Sequence, residues 1–258
     1  ALGCGIGFQT VLTKGGMGNI TTITVGAGWA VAMGIMVAGG VSGGHVNPVL
    51  SVSFAAIGQL SWSLVPFYLA GQYLGSFLAA ASVFAVYHDK LRSFELQCSN
   101  GLRIAEGNCS TAGMFCTYAP DDVTDLEAFL DQVLSTGLMM IPIMAMGDGE
   151  HWKVPPWFVP ISVGTLVSCI LAGFAYNAGG ALNPARDFGP RLFSAVAGWG
   201  TPVFRYWWVP ILGPHVGGVL GCLFYILFVS FHHSSKESAE SSNERKRNKR
   251  PTAASQPV

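Results

Sequence analysis

Charge is what this sequence most lacks. Only 11% of its 258 residues are Asp, Glu, Lys or Arg, while 50% are hydrophobic. Soluble domains carry about 25% charged residues, so no folded soluble domain is expected here. The shortage is also uneven. No charged side chain occurs between Lys14 and Asp89, a run of 74 residues, nor in Val154–Ala185 or Tyr206–Ser235. A spanning helix needs about 20 apolar residues, so each run holds one or more membrane spans. The zero formal net charge excludes nothing, because six of the 14 basic residues crowd into the last 23 positions. Catalytic signatures are missing too: there is no HExxH, no GxSxG and no metal-spaced Cys/His set. Hence neither enzyme chemistry nor a cofactor is expected.

What the sequence does have is apolar segments in a repeating order. Spans are expected at Ala1–Val11, Thr22–Val41, Leu64–Tyr87, Ala128–Met146, Trp157–Tyr176 and Trp207–Phe231. The first begins at Ala1 within apolar sequence, with no Met or polar leader, and is read as a truncated helix. Two shorter apolar stretches, Asn47–Ala56 and Asn183–Phe193, each open on Asn-Pro. Roughly 10 residues make about 15 Å of helix, half a bilayer. Proline suits the first turn, where its missing N–H costs nothing. Short broken segments at matching places in two halves point to a binding site or pore at the repeat interface, near the bilayer midplane.

The halves match in detail. Ser42-Gly-Gly-His-Val-Asn-Pro-Val49 returns as Ala178-Gly-Gly-Ala-Leu-Asn-Pro-Ala185, with the Asn residues 136 positions apart. The span after the first motif carries Gly71-x-x-x-Gly75; the span after the second carries Gly213-x-x-x-Gly217-x-x-x-Gly221. Such spacing lets membrane helices approach closely. Three spans per half is an odd number, so the second half must insert upside down. Six spans put both termini on one side, and the tail Glu244-Arg-Lys-Arg-Asn-Lys-Arg250 assigns that side to the cytoplasm. That polar, Ser-rich tail is read as a solvated topology signal rather than a nuclear-targeting or lipid-binding element, so no nucleic-acid partner is expected.

The His88–Glu127 loop is then extracellular. It contains the sequon Asn108-Cys-Ser110, a glycosylation candidate. A second sequon, Asn19-Ile-Thr21, lies too close to a span to expect its use. Cys98, Cys109 and Cys116 share the long loop, which allows one disulfide and one leftover thiol; which two pair is not legible. Cys4, Cys169 and Cys222 lie in apolar segments and are expected as packing residues.

Paired Asn-Pro motifs in inverted halves, with Asn183-Pro-Ala-Arg-Asp187, resemble the aquaporin family. The Asp after the Arg, the long extracellular loop, Phe129-Leu-Asp-Gln-Val-Leu134, Ala185-Arg-Asp-Phe-Gly-Pro-Arg191 and Trp207-Trp-Val-Pro210 resemble its glycerol-conducting branch, the aquaglyceroporins. The resemblance implies an all-α membrane protein: six transmembrane helices plus two re-entrant half-helices in an inverted repeat. It covers 1–233, leaving 234–258 as a disordered cytoplasmic tail. It implies a passive plasma-membrane channel for glycerol, water and other small neutral solutes such as urea, closed to protons and ions, and a homotetramer with one pore per subunit. The alternatives are a water-selective channel and a secondary transporter. Against the transporter, the spans, apart from Asp131 and Arg186, lack the ionisable groups that usually couple ions.

Elementary physics fits that reading. Two half-helices meeting nose to nose bring two positive dipole ends to the membrane centre. Asn47 and Asn183, beside Pro48 and Pro184, would cap them and offer N–H groups to a passing oxygen, while cations meet a barrier. Arg186 is a costly charge inside a membrane segment, functional by default, and would face the lumen on the extracellular side. Asp187 and Arg191 are expected to brace its loop. The resemblance places the rest of the filter at Ala27, Leu171 and Gly180, with no aromatic and no His, which predicts a wide filter with one apolar wall. Phe174 or Tyr176 would supply an aromatic if the helix register shifted. In the first motif, Val49 stands in place of the Ala185 of the second, and its extra methyls are expected to displace the joint. Asp131 is expected to brace the loop before Asn47. His45, on the cytoplasmic approach, is expected to be held by backbone carbonyls; pH gating is the sharper alternative.

Overall fold

A computed structural model describes residues 1–151 and 153–232, and every element among them is helical. The chain runs through α1 (Leu2–Leu12), α2 (Ile20–Ser42), α3 (Pro48–Ala56), α4 (Val65–Ser99), α5 (Asp125–Gly147), α6 (Val159–Ala178), α7 (Pro184–Ser194) and α8 (Val209–Tyr225). Five helical stretches are long and apolar enough to cross a membrane, and α1 is a shorter apolar helix. The basic tail lies outside the described residues.

Local chemistry sets the ends of these helices. Asn19 caps α2, its side chain accepting from the Thr22 N–H, so the second sequon is built into a helix start. Gly43 and Gly179 end α2 and α6 in the left-handed conformation, at φ 70° and 72°, which glycine adopts without a Cβ penalty. Thr124 and Glu127 cap α5 reciprocally. The half-helices α3 and α7 each carry Pro at their start and are 9 and 11 residues long. At 1.5 Å per residue, each reaches about half-way across a 30 Å hydrocarbon core.

Exchanging α1 with α5, α2 with α6, α3 with α7 and α4 with α8 maps the packing onto itself. The pair α5·α8 answers α1·α4, α3·α8 answers α4·α7, α5·α6 answers α1·α2, and α2·α6 and α3·α7 map onto themselves. This is the inverted repeat in three dimensions. The helices meet almost backbone to backbone. A Cβ on Gly28 of α2 would lie 2.2 Å from the Gly164 carbonyl oxygen of α6. On α8, a Cβ at Gly217 would lie 2.2 Å from the Val133 carbonyl oxygen, and one at Gly221 2.5 Å from that of Gly137. Nothing among the described residues lies within 4 Å of a Cβ at Gly71 or Gly75. The helix α1 packs Cys4 and Phe8 with Ala80 and Val83 of α4.

Three other expectations change. First, α4 continues to Ser99, so the first 12 residues of the expected loop are helix. The reason is a buried stripe at helical spacing, Leu91, Glu95 and Ser99. Second, Cys98 and Cys109 form the disulfide, while Cys116 is free and buried. Burial pushes the Cys116 thiol up to about 11, which keeps it neutral and unreactive. Third, Cys169 is exposed rather than packed, whereas Cys4 and Cys222 are buried. The outward faces carry large apolar side chains such as Val37, Val41, Val86 and Phe228, as a lipid-facing surface requires.

Candidate functional site

The two Asn-Pro motifs meet at the centre and are tied to each other. The Asn47 side-chain oxygen accepts from the Val49 N–H at 3.0 Å, capping α3. The Asn183 oxygen accepts from the Ala185 and Arg186 N–H groups at 3.0 and 3.1 Å, capping α7. Each carboxamide nitrogen then crosses to the other half. Asn47 Nδ2 donates to the Leu182 carbonyl and Asn183 Nδ2 to the Val46 carbonyl, both at 2.9 Å. A carboxamide has two N–H donors. One is spent on this crossing, and the second is left for the cavity that both residues line.

That cavity, about 830 Å³, runs through the bundle. Along it lie His45, Asn47, Asn183 and Ala185, together with Ala27, Leu171, Gly180 and Arg186. The volume exceeds that of a narrow lumen because the cavity also runs out between α2 and α4, past Gly71 and Gly75 to Ala1. Leu171 and Gly180 form one wall: a Cβ on Gly180, at φ +60°, would lie 2.5 Å from Leu171 Cδ2. Phe174 and Tyr176 do not line the cavity, and Tyr176 points outward, exposed.

Val49 departs from expectation. It is fully buried, and its Cγ1 lies where a side chain on Gly218 would go, 2.2 Å from that virtual Cβ. The extra methyls are therefore absorbed by a glycine notch on α8. The equal crossing bonds give no sign of a displaced joint, and Val49 is not among the cavity-lining residues.

Arg186 is held by main chain instead of an acid. Its Nη1 donates to the Phe115 carbonyl at 2.8 Å, and it makes no ion pair among the described residues. Its charge is thus not neutralised by an adjacent carboxylate. The segment that supplies this carbonyl is clamped by Asp187 and Arg191, both fully buried. Asp187 accepts from the Thr117 N–H at 2.7 Å and the Thr117 hydroxyl at 2.5 Å, and from Arg191 Nε at 2.8 Å. Arg191 also donates to the Thr117 carbonyl at 2.7 Å and to that of Val203, and lies 4.9 Å from the centre of the Tyr118 ring. Asp187 and Arg191 are thus the struts of the site.

Asp131 does not brace the loop before Asn47. Its side chain bonds Asn177 at the end of α6, and Oδ1 has no partner among the described residues. The bracing falls to the adjacent Gln132, and on the other motif: Gln132 Oε1 accepts from the Leu182 N–H at 3.0 Å. Leu182 has φ +53°, a costly conformation for a branched residue unless its surroundings enforce it. Gln132 on its N–H and Asn47 on its carbonyl do so. The signal in the sequence was a Gln-x-x-x-Thr pair, Gln132 and Thr136, on one face of an apolar span. Gln132→Leu should leave the Leu182 N–H buried and unpaired, at about 1–3 kcal/mol. We expect a lower thermal midpoint together with reduced solute flux. Unchanged flux in the Leu variant would refute the assignment.

On the approach to the first half-helix, His45 Nδ1 lies 3.2 Å from the Ser51 hydroxyl, a side-chain partner where backbone carbonyls were expected. Gln72 Nε2 donates to the His45 carbonyl at 2.6 Å and to the same hydroxyl at 3.2 Å. Tyr68 and Phe54 flank the imidazole, with ring centres 5.0 and 5.4 Å away.

Known proteins share this sequence and fold. The family model described as major intrinsic protein matches residues 1–225. The chain belongs to the major intrinsic protein family. It is 43% identical over 241 residues to aquaporin-9 of Homo sapiens, covering 92% of this chain and 80% of that protein. Aquaporin-10 of Milnesium tardigradum is 39% identical over 248 residues, covering 89% and 59%. Among solved structures, the aquaglyceroporin from Plasmodium falciparum superposes with a TM-score of 0.77 at 26% identity, covering 90% of this chain and 95% of that one. This member of the family therefore has the aquaporin fold and is a membrane channel.

Proposed function

We propose that this channel conducts water, glycerol and small neutral solutes such as urea, passively, and turns away protons and ions. The observation that carries the reading is the make-up of the cavity wall. Arg186 and the two Asn carboxamides bring donors to the lining, and Ala27 and Leu171 bring apolar surface to it. A polyol has hydroxyls along one edge and C–H along the other, so it can exchange its hydration for those donors while its carbon edge slides along the apolar surface. The absence of an aromatic or a His at the four filter positions argues for a bore wider than a water-only passage. Ion rejection rests on the two half-helix N-termini and the Arg186 charge, all positive toward the lumen.

The oxidised Cys98–Cys109 pair supports an extracellular or lumenal position for the long loop. Both termini are then cytoplasmic, in a plasma-membrane protein that assembles as a homotetramer. His45 serves as a loop brace rather than a pH gate, so glycerol flux should not change between pH 5 and 8.

Stopped-flow light scattering on proteoliposomes tests the assignment. Glycerol and water permeability should both exceed the lipid background, without saturation and without a second ion gradient. A ring placed at Ala27 should narrow the passage. Ala27→Phe should cut glycerol permeability by at least roughly tenfold and water much less, since selectivity follows pore diameter and lining donors. Glycerol permeability at background in the unmodified protein would exclude the polyol reading.

A further inference from the structure

The loop between α4 and α5 places a glycosylation sequon and a disulfide on the same tripeptide. In Asn108-Cys109-Ser110 the middle residue is bonded to Cys98, with an S–S length of 2.02 Å. The third residue is also engaged: the Ser110 hydroxyl donates to the Ala105 carbonyl at 2.6 Å. The backbone around it is closed into a turn. The Ser110 N–H donates to the Gly107 carbonyl at 2.9 Å and the Thr111 N–H to that of Ile104 at 3.0 Å, with Gly107 at φ +87°. Asn108 itself is exposed.

We propose that Asn108 accepts a glycan only while Cys98 and Cys109 are still reduced, so that oxidation and glycosylation compete for this loop. Transfer needs the sequon as a free, pliable segment whose Ser hydroxyl is available to the transferase. The oxidised loop offers neither, because its hydroxyl is spent and its backbone is pinned on both sides. The finished fold nevertheless tolerates the glycan, since the Asn108 side chain stands in solvent.

The two reactions are separately balanced. In glycosylation, Asn108 Nδ2 attacks the anomeric carbon of a lipid-pyrophosphate-linked oligosaccharide. The C–N bond forms, the C–O bond to pyrophosphate breaks, and the amide gives up one proton. In oxidation, one cysteine thiolate attacks the disulfide of a thiol–disulfide oxidoreductase, and the second thiolate displaces it. Two protons leave the cysteines, and two electrons reduce the oxidoreductase to its dithiol. The cysteines are 11 residues apart in sequence, so the ring closes as soon as both are made, and only a short window stays open for the transferase.

This inference rests on the extracellular placement of the loop. It is tested in cultured animal cells expressing the full chain, by enzymatic deglycosylation and gel shift. The wild-type protein should run as two bands, with the unglycosylated one resistant to thiol tagging at Cys98 and Cys109. Cys98→Ser leaves the sequon intact and should move the protein into the glycosylated band. Dithiothreitol present during synthesis should do the same to the wild type, and Ser110→Ala should remove the upper band. Equal occupancy in wild type and Cys98→Ser, at any level, overturns the proposal. Labelling Cys98 of the Cys109→Ser variant on intact cells with an impermeant maleimide separates the two ways of failing. A labelled thiol leaves the loop outside and the competition refuted; an unlabelled one refutes the placement itself.

Discussion

Asp187→Ala should lower stability by about 3–5 kcal/mol, the usual cost of removing one partner of a buried ion pair. Both members of the Asp187–Arg191 pair are fully buried. Removing the carboxylate leaves the Arg191 guanidinium without a counter-charge in a site that water does not reach. It also strips the Thr117 N–H and hydroxyl of their acceptor. The damage should spread to the filter, because the clamped segment carries the Phe115 carbonyl that holds Arg186. The expected result is retention inside the cell and a sharply lower thermal midpoint for whatever can be purified in detergent. The apolar double variant Asp187→Leu/Arg191→Met should be less destabilised than either single change, since no orphan charge remains. A single variant within about 1 kcal/mol of wild type would contradict the strut assignment, given that cost.

Gly217→Val should also be damaging, for a different reason. Its first carbon would lie 2.2 Å from the Val133 carbonyl oxygen and 3.0 Å from Val133 Cα, so backbone, which cannot rotate away, blocks it. The helices α5 and α8 must part, and overpacking of this kind costs typically 1–3 kcal/mol and occasionally more. Their separation also carries Gln132 away from Leu182. Gly173 of α6 supplies the control. Nothing lies within 4 Å of a Cβ there, and Gly173→Ala should be neutral or slightly stabilising, because Ala favours a helix interior over Gly by about 1 kcal/mol. The two variants are compared by thermal unfolding in detergent. Equal midpoints would show that the α5·α8 contact is looser than described.

The parts of the molecule that sequence disclosed are those encoded locally. An Asn cap, a Pro in the first turn and a left-handed Gly are short-range instructions, so the half-helices and the ends of α2 and α6 could be read directly. The inverted repeat was legible because one motif recurs. What escaped depends on residues far apart in the chain. Gln132 is 50 residues from the Leu182 N–H it holds, and only the approach of α5 to the second motif brings them together. Val49 looked like a threat to the joint because its partner, Gly218, is known only from packing. The α4 extension is not legible because its buried stripe includes an acid, Glu95, among polar neighbours. The Asp131 assignment went to the charged neighbour of the residue that does the bracing.

The two crossing carboxamide bonds have a mechanical consequence. Each half of the protein grips the main chain of the other where the half-helices meet, so the pair acts as a clasp. A carrier that works by rocking would have to open that clasp at every cycle, breaking two hydrogen bonds in the low-dielectric interior and prising apart the glycine-lined seam between α2 and α6. The centre is therefore a fixed ring through which solutes pass while the protein stays still. Throughput should then rise in proportion to the gradient across it, with no ceiling set by a conformational cycle.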